Sequence, residues 1–398
     1  MLTARTITGK KICLGFDYTK ESLLSLRNKE EFICPICGEG VVLKLGDRRI
    51  FHFAHKQGSS CRDVYENESF YHMEGKRQLF QWLVRQKIPA ALEYYISDIQ
   101  QRPDILFKFN DKTYALEYQC STIPENVFFK RTKSYLDHHY IPLWILSSDQ
   151  IHQKRKTLIG LSNFQYLFVR STSTGNLYIP SYCPEQRQFR FVESITSFSI
   201  KNAFFHSSIY PKKYTTVEDV LEPNMSKTIN LSSWNSEMEK LILNWSVHPQ
   251  PGQLHFFQEI YNRGLNLFLM PPEIGLPVAH SLLLQTPLII WQTYFYLDVL
   301  ADKDPNDTIS FHEIKDHFNK RKYRNDIMRR NLPQIEQLNP ILPIIEYMML
   351  LERLGIVRRK SDSLFEVQRK ITIPISNRER EEARGDFYKK NRRILLIQ

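Results

Sequence analysis

Between Arg102 and Gln119 two runs rich in β-formers flank Asn110-Asp111, a pair of turn residues, and the pattern predicts a hairpin. With a two-residue turn, residues pair when their numbers sum to 221, so Asp104 falls opposite Glu117 and Gln119 projects from the same face two residues on. Upstream, Glu66 to Gln86 reads as an amphipathic helix, with Phe70, Met73, Phe80 and Val84 on one side and Glu68, His72 and Lys76 as a polar stripe along its edge. Ala91 to Ile96 is a further short β-rich run. Downstream, Ser121 or Thr122 is placed to cap a helix with Pro124 near its first turn, running to about His139. Ile141 to Leu146 then reads as a buried strand. The predicted order is helix, three strands, helix, strand.

The rest of the chain is patterned differently. Gln150 to about Pro223 is β-rich and aromatic, and either extends this sheet or connects it to the C-terminal part of the chain. From Ser232 the pattern turns helical, opening on the N-cap-like Ser-Ser-Trp-Asn-Ser-Glu. Leu282–Leu300, His312–Phe318 and Ile341–Leu354 are three further helix candidates, and Gly355 to Val367 a hairpin. Helices ending in a basic hairpin resemble a winged helix, although Ile341–Leu354 is too apolar to lie in a DNA groove and is expected in the core. A purely structural or protein-docking helical domain fits the same pattern. The expected division is 1–64, 65–150, 151–231 and 232–398.

Chemistry enters at two places. Two carboxylates opposed on a ladder repel unless neutralised, and a hard divalent cation such as Mg²⁺ (or Mn²⁺) neutralises Asp104 and Glu117 together. A solvated hairpin with scattered charges is the alternative. Second, Cys34-Pro-Ile-Cys37-Gly38 is a zinc-knuckle pattern, followed across a short hairpin by His52-Phe-Ala-His55 and then by Cys61. Five residues compete for four zinc positions: Cys34, Cys37, His52, His55 and Cys61. If the segment stays extended, His52 and His55 face opposite sides. A redox role for the Cys-x-x-Cys pair would want the first Cys at a helix start, whereas a strand comes next. A four-ligand zinc has no open position and would be structural, its loss unfolding about the first sixty residues. Cys13, Cys120 and Cys183 are scattered and read as buried free thiols, suiting a reducing compartment.

The chain has 398 residues, 42% hydrophobic and 13% aromatic, enough for two or three packed domains and too much for a disordered tail. The first ten residues lack the apolar run of a signal peptide, and Ala279–Leu300, the nearest approach to a membrane span, is interrupted by His280, Gln285, Gln292 and Asp298. A soluble cytoplasmic protein is expected. Net charge is +11, and from Ala301 onward 21 Lys or Arg stand against 15 Asp or Glu. Basic runs at Lys320-Arg321-Lys322-Tyr323-Arg324, Arg329-Arg330, Arg358-Arg359-Lys360 and Lys389 to Arg393 suit a phosphate backbone, with a solvated surface as the alternative for any one run.

The element order, with an acid on the first helix and Pro103-Asp104 followed by Glu117-x-Gln119 on two strands, resembles the PD-(D/E)xK core of restriction-endonuclease-like proteins: an α/β (α+β) fold, here with a small zinc-binding β module before it and a helical region after it. More narrowly, Glu68-Ser69, His72, Lys76, Arg102-Pro103-Asp104, Leu116 to Gln119 and Trp144 to Leu146, preceded by the Cys-x-x-Cys and His-Phe-Ala-His, look like the competence protein CoiA family. The resemblance implies Glu68, Asp104 and Glu117 as metal and water-positioning acids. It also implies a DNA-processing role in natural transformation, on single-stranded or branched DNA, alongside the recombinase and its loader. The Lys usual at the last motif position is Gln119 here. A neutral amide orients water but adds no charge, and Lys76 is positioned on its helix to replace the missing cation, with His72 or Glu117 as proton acceptor. The implied chemistry is Mg²⁺-dependent phosphodiester hydrolysis. A non-catalytic DNA-binding mediator on a degenerate nuclease fold is the rival.

Overall fold

The computed structural model describes residues 1–46, 50–56, 61, 69–225 and 230–396. Its first unit is an antiparallel five-stranded sheet, ordered β2-β1-β3-β4-β5, from β1 (Thr3–Thr6), β2 (Lys11–Cys13), β3 (Phe32–Ile33), β4 (Gly40–Lys44) and β5 (His52–His55). Helix α1 (Lys20–Lys29) starts where the Thr19 hydroxyl accepts from the Ser22 amide, and it buries Leu23.

Helix α2 (Phe70–Arg85) begins at Ser69, whose hydroxyl accepts from the His72 amide; the residues expected ahead of it, including Glu68, lie outside the described set. Of the stripe the periodicity marks, Met73 and Phe80 are buried, whereas Phe70 is 52% exposed and Val84 37%. The helix is packed between the N-terminal sheet and a second sheet, so its buried arc widens to take in Leu79, Phe80, Trp82 and Leu83, and also Lys76. Gly75 makes the second contact possible: a Cβ there would sit 2.1 Å from the Tyr118 ring.

That second sheet has ten strands, ordered β10-β11-β15-β14-β13-β9-β8-β7-β6 with β12 beside β13. Strands β6 (Ala90–Leu92), β7 (Ile105–Phe109) and β8 (Lys112–Gln119) run antiparallel. The β7–β8 register pairs Ile105 with Leu116 and Phe109 with Lys112, the sums of 221 that the turn requires, and Asn110 and Asp111 both take positive φ (47° and 58°), as a type I′ turn demands. Helix α3 (Glu125–Asp137) then crosses over to β9 (Ile141–Ser147), parallel to β8. Neither Ser121 nor Thr122 caps α3: Pro124 occupies the N-cap, with no side-chain bond to the first amides.

The chain after residue 150 extends the sheet. Strands β10 (His152–Arg155) and β11 (Leu158–Gly160) form its far edge. After α4 (Asn163–Tyr166) and β12 (Arg170–Ser171), strand β13 (Leu177–Cys183) pairs parallel to β9, followed by β14 (Gln188–Ser197) and β15 (Asn202–Pro211).

Helices α5 (Val217–Leu221), α6 (Leu231–Val247), α7 (Leu254–Asn262) and α8 (Leu288–Phe295, continuing as a π-turn through Leu300) lead into the C-terminal region. Asn230, not Ser232, caps α6. Then come β16 (Thr308–Ser310), α9 (Phe311–Tyr323), α10 (Leu342–Arg353), β17 (Val357–Ser361) and β18 (Leu364–Val367), with a strand order β16-β18-β17. Helix, strand, two helices and a hairpin closed by the earlier strand is the connectivity of a winged helix. Helix α10 buries Ile344, Tyr347, Met348, Leu350 and Leu351, as its composition requires. Helices α11 (Asn377–Lys390) and α12 (Arg392–Leu396) pack back over this core. Among the described residues no helix is long and apolar enough to cross a membrane.

Candidate active site and metal centre

Because β7 and β8 keep the 221 register, Asp104 and Glu117 stand opposite one another at the open end of the hairpin. The same row continues to a third acid. Leu92 pairs with Ile105, and one residue on the Glu93 amide donates to the Asp104 carbonyl at 2.9 Å. Glu93, Asp104 and Glu117 therefore lie across three adjacent strand ends.

Each acid has its own partners. Asp104 Oδ2 accepts from the Tyr118 amide (2.9 Å) and lies 3.2 Å from His72 Nε2, while Lys76 Nζ is 3.3 Å from its Oδ1. Glu93 Oε1 is 2.7 Å from the same ammonium, and its carboxylate also accepts from the Leu2 and Thr3 amides and the Thr3 hydroxyl. Lys76 is fully buried. Thus it does reach the site, as a clamp between two carboxylates and not as part of a polar helix edge. Glu117 Oε1 takes the Arg131 guanidinium and, at 2.5 Å, the Tyr135 hydroxyl. Gln119 is buried, and its amide nitrogen donates to the Ser121 carbonyl at 2.9 Å.

These surroundings set the charges. Burial penalises all three carboxylates. For Asp104 the attraction of Lys76 and then His72 overcomes it, and for Glu93 that of Lys76 and Arg102, so both are held far below the usual carboxylate range. At Glu117 burial wins: despite Arg131, desolvation and the nearby negative Asp104 push its carboxyl up to about 7. Burial raises the neighbouring Cys120 thiol to about 12, so it stays protonated. All six cysteines are free.

Sequence reasoning missed Glu93, Arg131 and Tyr135. Arg131 and Tyr135 are four apart on α3, so helical spacing could have put them on one face beside the sheet. Glu93 carried no such signal, because eleven residues of loop separate its strand from Asp104.

The N-terminal cluster is simpler. Cys34, Cys37, His55 and Cys61 bring one ligand atom each within 4.8 Å of one another. Cys37 Sγ is 3.4 Å from His55 Nε2, close to the ~3.5 Å edge of a tetrahedron with bonds of about 2.3 and 2.0 Å. Gly38 has φ +74°, which lets its amide turn back to the Cys34 carbonyl (3.0 Å), and the Ile36 amide points at Cys34 Sγ (3.5 Å). This Cys₃His set is compatible with structural zinc. His52 is excluded: β5 is extended, so it faces away from His55, and its Nδ1 lies 3.0 Å from the Ile50 carbonyl. Among the described residues this is the only such group of three or more; Asp104, Glu117 and His72 do not close to the same spacing.

The basic runs divide. Lys320 and Arg324 are exposed, and Lys322 leans over the Phe318 ring. Arg321 is not available to a ligand: it is 5% exposed, bonded to Asp298, Glu259 and Asp326, and stacked 4.0 Å from the Tyr294 ring centre. On the wing, Arg358 and Lys360 both pair with Glu366 (2.5 and 2.8 Å), and Arg359 lies 3.9 Å from Glu352.

Family comparisons agree along the chain. Residues 15–63 match the competence protein CoiA N-terminal domain, 68–225 its nuclease-like domain and 229–380 its C-terminal domain. A protein named competence protein CoiA, from Bacillus subtilis (strain 168), is 31% identical over 279 residues, 68% of this chain and 72% of that relative. No solved structure matches.

Proposed function

The chain belongs to the competence protein CoiA family, and from that membership we propose that it processes DNA taken up during natural transformation, by metal-dependent phosphodiester hydrolysis at the Asp104–Glu117 site. The observation that carries this reading is the row of carboxylates at the ends of β6, β7 and β8, on a nuclease-like sheet, with Lys76 where a displaced motif cation would be useful. Glu93 is saturated by Lys76 and the first-strand amides, which leaves Asp104 and Glu117 as the acids for a cation. The donors fit Mg²⁺: they are hard oxygens, and Glu117 Oε1 takes both of that residue's side-chain bonds, leaving Oε2 for a ligand. Glu68, outside the described residues, is the proposed third acid. A bound Mg²⁺ would polarise the phosphoryl group and acidify a water. Lys76 and His72 hold Asp104 ionised and in place, and Gln119 orients water or phosphate. Without a cation, burial pushes the Glu117 carboxyl up to about 7 and it takes up a proton near neutrality; with a cation on Oε2, proton acceptance falls to His72.

In the same reading the Cys₃His set holds a structural zinc, and the substrate is single-stranded or branched DNA, handed on to the recombinase and its loader in the cytoplasm. One observation favours a non-catalytic mediator instead. Asp104 and Glu117 already have protein cations, and Gln119 brings no third. The test is to incubate the chain with labelled single-stranded, duplex and branched DNA in Mg²⁺, Mn²⁺ or EDTA, beside an Asp104→Ala/Glu117→Ala variant, with Mg²⁺ binding followed by calorimetry. Metal-dependent cutting and metal uptake, both lost in the variant, are expected. DNA binding without cutting in either protein would replace the nuclease with the mediator.

A further inference from the structure

The wing, the obvious basic element, has its cations paired, Arg358 and Lys360 with Glu366 and Arg359 beside Glu352. A different surface does not. Between the outer strands of the large sheet and the C-terminal helices lies a groove of about 980 Å³, into which Lys156, Arg190, Lys389 and Arg392 converge from three segments. No Asp or Glu lines it among the described residues, and none of these four cations has a carboxylate partner there. Arg190 is held in position by the Ser207 hydroxyl and Gln153 (both 2.9 Å). Glu193 lies wholly buried beneath His206 and is already bonded to that ring and to Ser208. Tyr388, the 53%-exposed Ile209 and His206 add ring and apolar surface between the charges. Cations without carboxylate partners, with rings and apolar groups among them, suit a polyanion carrying flat apolar groups.

The sheet register ties this groove to the acidic row. Gln119 pairs with Leu146, Leu146 with Ser181, Ser181 with Arg190 and Arg190 with Ile209. Aligned neighbours point to one side of a sheet, so Gln119 and Arg190 share a face, three strands or about 14 Å apart. That distance is about four phosphates of one strand at B-form spacing. The covering segment after β9 touches both ends: Gln150 donates to the Cys120 carbonyl at 3.2 Å, and Gln153 accepts from Arg190.

We propose that this groove holds the sugar-phosphate backbone of single-stranded DNA, on the sheet face that also carries the Asp104–Glu117 site. The inference rests on the reading that the substrate is nucleic acid, and holds whether or not the site cuts. A cavity of this size takes a few nucleotides of one strand.

Anisotropy of labelled oligothymidine and of a duplex of the same length tests it on the full chain. Lys156→Glu/Lys389→Glu/Arg392→Glu should lose about 30-fold in single-strand affinity, with the log–log salt slope falling by about two, while Arg358→Glu/Lys360→Glu changes affinity less than about threefold. A melting curve checks folding, and the Gln versions of the three groove changes, expected to cost about tenfold, carry the test if the Glu versions do not fold. Wild-type affinity in the groove variant would overturn the groove and leave the nucleic-acid reading standing. Tighter duplex binding, lost in the same variant, would overturn the single-strand assignment. No binding of any DNA by the wild type would overturn the nucleic-acid reading and the groove with it.

Discussion

The Cys₃His cluster and the acidic row both gather metal-type ligands, but they differ in what holds them. Cys34, Cys37 and His55 are carried on or beside short strands and turns, and their ligand atoms lie with that of Cys61 within 4.8 Å of one another. Glu93, Asp104 and Glu117 instead sit at the ends of sheet strands, each beside Lys76 or Arg131. The first arrangement is compatible with a structural zinc; in the second the carboxylates are already balanced by protein cations.

Removing the metal should therefore have the largest effect. Chelation, or Cys34→Ser, is expected to unfold the N-terminal module, with an apparent loss on the order of 10 kcal/mol at that site. Protease sensitivity before residue 70 together with the zinc content of the purified chain measures it. An intact module containing no metal would erase the contrast. Next in size is Lys76→Met, which leaves two buried carboxylates facing each other and should cost about 3–5 kcal/mol in urea unfolding. Adding Glu93→Gln and Asp104→Asn should restore much of it, and failure of that rescue would show that the ammonium is not the balancing charge.

The pH response sharpens the comparison inside the row. Asp104 and Glu93 have folded pKa values below their unfolded ones, so their contribution is present above about pH 4 and fades as pH falls through that range. Glu117 has the opposite sign. Its carboxyl is raised, so its contribution is full below about pH 4.5 and is lost as pH climbs to about 7, a difference of about 3 kcal/mol. Glu117→Gln should flatten stability between those limits without Mg²⁺, and an unchanged pH profile would count against the raised value. The smallest effect belongs to His52→Ala, expected within about 0.5 kcal/mol of wild type with zinc retained, whereas His55→Ala should lose the metal. Equal zinc loss in both would put His52 back among the ligands.

The hairpin was legible because a two-residue turn fixes register, and register fixes which side chains meet. From Asn110-Asp111 alone, Asp104 and Glu117 had to be opposite, and the knuckle spacing in the same way marked Cys34 and Cys37. Periodicity described α2 less well, because it assumes one buried face and this helix is covered on two.

The sequence by itself determined the local elements, the 221 register, the apolar core role of α10 and the five cysteine and histidine candidates, four of which now stand together. Those come from turn chemistry, side-chain period and ligand spacing, which act over a few residues. Only the tertiary structure decided that Glu93 joins the row, that Lys76 is buried between two acids, that Arg321 is spent on three carboxylates, and that cations from three segments face one groove. Each of these depends on which distant segments pack together, and the free energy that selects them, burial of apolar surface, does not depend on sequence separation.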